Sequence, residues 1–156
     1  MKSEGIGRPA VIALALSLVV YVAFFSCDSH LRHKNGPWVV RFGLDSTNPA
    51  IVIDQARYRI AGAKIVFEGE IATNASNQVV SFDQPYPAIP FGQVVFHDPT
   101  YLPGSVTFNI HGHQVELLPR TLIINQKERP WASGQTIVLR PGEKLPPDKL
   151  VRKKKK

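Results

Sequence analysis

The sequence predicts an all-β fold, an antiparallel β-sandwich, preceded by one N-terminal transmembrane helix. Three observations carry this. Residues 9–27 are uncharged and overwhelmingly apolar. Beyond residue 36 come nine short runs rich in Val, Ile, Phe and Thr, bounded by Gly, Pro, Asn or Asp. No window after the apolar stretch repeats apolar residues at the three-to-four spacing of an amphipathic helix. Thirteen prolines and eleven glycines in 156 residues fit many short elements joined by turns.

The first element follows a short flank, residues 1–8. Between Ala10 and Phe25 only Ser17 is strongly polar. A buried helix of a soluble domain would carry a polar stripe, and this segment has none. Nineteen residues at about 1.5 Å each nearly cross the ~30 Å hydrocarbon layer of a bilayer. No small-x-small pair ends the run, because Ala23 is followed by Phe24 and Phe25, so ordinary signal cleavage is disfavoured. Two fates remain: a retained single-pass anchor, or a lipoprotein-type signal in which Cys27, preceded by Ser26, is lipidated. Lys2 and Arg8 lie on one flank, with Arg32, Lys34 and the offsetting Asp28 on the other. That balance points the N-terminus inward and the following domain out of the cytoplasm, to a periplasm or cell surface.

A polar linker, residues 28–36, leads into a domain expected over 37–141, immunoglobulin-like in the loose architectural sense. Its expected strands cover 37–43, 50–60, 64–71, 78–82, 92–97, 105–110, 114–118, 121–125 and 135–140. In 50–60, alternation puts Val52, Ala56, Tyr58 and Ile60 on one face and Gln55, Arg57 and Arg59 on the other. Val106, Phe108 and Ile110 alternate on one arm of a hairpin, Val115 and Leu117 on the other. His111-Gly112 supplies its turn, where glycine tolerates positive φ. A second turn falls at Asn125-Gln126-Lys127-Glu128. Nine such runs suit a sandwich or small barrel. Order is expected to end near Pro141, leaving 142–156 as a solvated proline-containing polybasic tail.

The formal charge of +7 is unevenly placed. Residues 149–156 contribute six positive charges and residues 1–8 a net one, while the remainder balances eleven Lys/Arg against eleven Asp/Glu. The domain therefore has no basic footprint for specific nucleic-acid binding. Arg152, Lys153, Lys154, Lys155 and Lys156 suit contact with anionic lipid, another envelope protein or an anionic polymer. The single cysteine, Cys27, excludes an intrachain disulfide and a four-cysteine zinc site.

Three groups are candidates for chemistry. His97, His111 and His113 are metal-ligand types, and on a regular strand residues i and i+2 face the same way. With Asp98 they define the enzyme alternative, a metal-dependent or hydrolytic activity. Gly112 between the latter two instead reads as a turn flanked by water-exposed histidines. Trp38, Tyr86, Tyr101 and Trp131 are candidate stacking surfaces for carbohydrate or peptide, Tyr86 and Tyr101 standing in proline-rich loops. Asp45-Ser46-Thr47-Asn48-Pro49 reads as a turn; a serine nucleophile there would lack a base, since no lysine occurs between Lys64 and Lys127. The leading expectation is a membrane-anchored, non-enzymatic binding, scaffold or assembly module without cofactor.

Overall fold

The computed structural model describes residues 7–71 and 77–146. It is mostly β, with two sheets and one N-terminal apolar helix, divided into two compact units at Lys34–Asn35.

Helix α1, Gly7–His33, has 27 residues, about 40 Å of rise, and none is buried. It continues six residues past the apolar stretch into the expected linker. Local pairs explain the extension. Arg32 pairs with Asp28 one turn earlier at 2.8 Å, and the His33 ring bonds the Ser29 carbonyl at 3.0 Å. Cys27 lies on this helix with its thiol free and exposed.

The second unit holds ten strands: β1 Val39–Asp45, β2 Asn48–Gln55, β3 Ile60–Phe67, β4 Gln78–Ser81, β5 Gln93–Asp98, β6 Ser105–Ile110, β7 His113–Leu117, β8 Leu122–Ile124, β9 Lys127–Arg129 and β10 Thr136–Leu139. One sheet has the order β10-β3-β2-β1-β4, and the other runs β5-β6-β7-β8-β9. All pairs are antiparallel except β3–β10, which is parallel, a departure from the purely antiparallel expectation. Crossing from β9 to β10 delivers the chain to the far edge of the first sheet alongside β3.

Both sheets contribute to one hydrophobic cluster, including Phe42, Ile51 and Phe67 from the first and Phe108, Val115 and Leu122 from the second, with Trp38 just ahead of β1. Phe108 meets Phe42 and Phe82 edge-on at 6.3 and 5.4 Å, the geometry that aromatic quadrupoles favour.

The expected strand 50–60 is in fact two strands. β2 ends at Gln55, a turn covers residues 56–59, and Arg59 takes φ 55°. The buried residues of β2 include Ile51, Ile53 and Gln55, so the inward face is the opposite of the one that Val52, Ala56 and Tyr58 define. Gln55 causes the break. Its Oε1 accepts the Arg57 N–H at 2.7 Å, and its Nε2 lies within 3.1 Å of the Asn35, Gly36 and Pro37 carbonyls. One buried amide therefore caps the turn and fixes where the chain enters the domain.

The remaining turns follow their residues. His111 and Gly112 have φ 49° and 82°, the paired positive values of a two-residue hairpin turn. Asn125 and Gln126, at 50° and 65°, connect β8 to a strand that sequence reading folds into the turn itself. Ser46, at φ 57°, lies in the β1–β2 turn, as the Asp45–Pro49 pattern anticipates.

Candidate functional site

The three histidines occupy two places. In β5, His97 stands beside Val106 of β6. His111 follows that strand's far end, five residues on, or roughly 17 Å at strand rise. A three-histidine metal site is therefore not assembled. Among the described residues no group of three or more His, Cys, Asp or Glu is placed to hold a metal ion. Asp98 bonds the Thr100 N–H at 3.0 Å, an ordinary local turn contact.

Nor are these histidines open to water, as the turn reading expects: His97 and His113 are buried and His111 is half-buried. The His97 ring meets Phe82 at 5.6 Å and Tyr86 at 6.4 Å. Burial lowers its pKa, against the opposing pull of the Phe82 backbone and of Asp98 and Asp83.

His111 and His113 do meet, across Phe67, whose ring lies 5.8 and 5.9 Å from theirs. Around them stand residues from three other segments: Glu70 after β3, Asn125 after β8, and Glu143 and Lys144 beyond β10. Glu70 reaches His111 Nδ1 at 3.4 Å with one oxygen and pairs with Lys144 through the other. Asn125 accepts the Gln114 N–H on Oδ1 at 3.0 Å, which fixes its orientation. Its amide then donates to the Glu143 carbonyl at 2.7 Å and lies 3.0 Å from His113 Nδ1. Burial lowers both pKa values. Lys144 lowers them further, while Glu70 opposes, joined at His113 by Glu143. The cluster is a pair of rings whose charged forms burial disfavours, beside a carboxylate paired with Lys144.

The same contacts correct the expected boundary at Pro141. Pro141–Glu143 form a 3-10 turn, and Leu145 N–H bonds the Gly112 carbonyl at 3.1 Å. Residues 141–145 thus strap the hairpin turn, although 141–144 remain exposed to water. Arg152, Lys153, Lys154, Lys155 and Lys156, the expected anionic-surface contacts, lie outside the described residues.

The aromatic candidates divide. Trp38 is fully buried and Trp131 half-buried, their rings 5.3 Å apart. Both indole N–H groups are engaged, with the Gly104 and Leu118 carbonyls at 3.1 and 2.8 Å. Trp38 therefore offers no open stacking face, while Trp131 keeps part of its surface exposed. Tyr86 and Tyr101 are exposed, on the loops that the proline pattern marks. Sequence reading misses Gln55, Glu70, Asn125 and Lys144, whose roles depend on contacts with distant segments.

Comparison of the chain with protein-family models, with characterised proteins and with solved structures returns no match. The class that the fold defines is therefore architectural: a two-sheet β domain preceded by an apolar helix.

Proposed function

We propose that the chain is a membrane-anchored β-sandwich module that binds a partner rather than catalysing a reaction, with its domain carried outside the cytoplasm. The observation carrying this reading is α1. Its 27 residues bury none of their apolar surface within the chain, whereas the β domain has a core of its own. An apolar surface of that length is covered by lipid at little cost and exposed to water only at a large one. The separation of His97 from His111 and His113 also favours binding over metal-dependent catalysis. Immunoglobulin likeness stays at the level of packed sheets. Here β5 to β9 follow one another within a sheet, while an immunoglobulin domain distributes consecutive strands between its two sheets.

Mass spectrometry of the mature protein from isolated membranes tests the anchor. An intact N-terminal segment is expected. A diacylated Cys27 would replace the helix with a lipid anchor, and an unmodified terminus downstream of Cys27 would remove both.

A further inference from the structure

β9 and β10 are edge strands of different sheets, and a cleft of about 320 Å³ has lining residues from both. Ile124, Leu139 and Leu145 supply its apolar lining, Lys127 and Arg129 its two cations, and Glu143 a single carboxylate, whose Oε2 already accepts the Arg140 N–H at 3.3 Å. In the β8–β9 hairpin, Lys127 lies opposite Ile124 and Arg129 opposite Leu122. Opposed residues share a face. Both cations therefore stand on the side of the sheet that elsewhere carries the core. Neither has an ion-pair partner among the described residues. A hollow of about 310 Å³ on the first sheet makes the contrast: there Arg41 and Lys64 are already paired, with Asp54 and Asp45.

The backbone of β10 adds a second observation. Lys64 N–H bonds the Gln135 carbonyl at 2.8 Å, and Glu68 N–H bonds the Leu139 carbonyl at 2.9 Å. Odd positions of the strand thus face β3, and the N–H and C=O groups of Thr136 and Val138 turn outward along the open edge. A third is charge. Leu145 lines the cleft, and the chain that follows, residues 147–156, carries six Lys/Arg against one Asp. By charge that sequence is a poorer match for Lys127 and Arg129 than an acidic segment is.

We propose that this cleft docks an acidic extended segment of a partner protein, added as a strand to the free edge of β10 with its carboxylates against Lys127 and Arg129. The proposal rests on the binding-module reading and names its surface and partner chemistry. An extended polypeptide satisfies outward N–H and C=O groups with a ladder, which a lipid headgroup does not offer. The β10 edge carries no charge of its own, so the preference for an acidic segment comes from Lys127 and Arg129 of β9 in the same cleft.

The test uses the full chain in neutral phosphatidylcholine nanodiscs, titrated with a fluorescent peptide of alternating glutamate and valine and followed by anisotropy. Saturable binding that weakens with salt is expected. Combined Lys127→Glu and Arg129→Glu should weaken it at least ~tenfold. Val138→Pro should do the same while keeping the pairing with β3, because it removes only an outward N–H. Circular dichroism checks that each variant is folded. No saturable binding, equal affinity for a lysine–valine peptide, or unchanged affinity in the charge-reversed chain overturns the proposal. So does cleft-dependent binding of phosphatidylserine vesicles by a chain that ignores the peptide. Loss of peptide binding with retention in the membrane fraction removes this proposal alone; release from the membrane fraction removes the anchor reading, whatever the titration shows.

Discussion

The side-chain amide of Asn125 lies 3.0 Å from Nδ1 of His113 and donates to it, making that ring nitrogen an acceptor. Asn125 cannot turn over to accommodate a proton there, because its oxygen already holds the Gln114 N–H. Protonating Nδ1 would set two donors face to face and loosen the amide's hold on the Glu143 carbonyl.

Acidification is therefore expected to destabilise the domain. His97, His111 and His113 all have pKa values below the ordinary 6.5, with burial the largest cause. The unfolded chain takes up these protons as pH falls through 6.5, whereas the folded chain resists until lower pH. The contribution is complete above 6.5 and is lost as pH drops toward the depressed folded values. Thermal unfolding of the full chain should show a midpoint that declines from about pH 6.5 downward; a flat midpoint over that window contradicts the histidine environments described.

Gln55 should be intolerant of change. Gln55→Ala leaves turn N–H groups and entry carbonyls without their partner, a loss of about 2–3 kcal/mol. Gln55→Glu should cost at least as much, because a carboxylate would face the three carbonyls that Nε2 now serves. Chemical denaturation monitored by tryptophan fluorescence measures both.

Gly104 combines φ 66° with a close approach: an added Cβ would collide with the Asp98 carbonyl oxygen. Gly104→Ala requires the β5–β6 loop to move, at a cost of about 2–4 kcal/mol. Soluble yield and denaturation midpoint report it, and a variant as stable as the parent would show that the loop yields freely.

Trp38 and Trp131 separate packing from hydrogen bonding. Trp38→Phe keeps a ring but removes the bond to the Gly104 carbonyl, expected to cost about 1–2 kcal/mol. Trp38→Ala also opens a cavity beside Trp131 and should cost about 3–5 kcal/mol. Equal losses in the two variants would mean that the bond, not the packing, dominates.

Much of the strand layout is legible from alternation, as the β6 and β7 runs show, with Val106, Phe108, Ile110, Val115 and Leu117 all buried. Alternation fails where a side chain acts on backbone. Residues 50–60 read as one strand until Gln55 turns the chain, and its polar character conceals a fully engaged buried amide. The histidines fail for a related reason. Polarity predicts exposure beside Gly112, yet Phe67, Glu70 and Asn125 arrive from other segments to bury His113.

By itself the sequence determined the apolar segment, the strand-and-turn rhythm of the domain and the concentration of positive charge at the C-terminus. Each of these is a property of neighbouring residues, set by periodicity, backbone preference and composition. Tertiary structure decided that β10 runs parallel to β3, that residues 141–145 strap the His111-Gly112 turn, and that Lys127 and Arg129 flank an open edge. Those outcomes depend on which distant surfaces bury most apolar area and satisfy most polar groups together, a comparison between whole folds that no local pattern encodes.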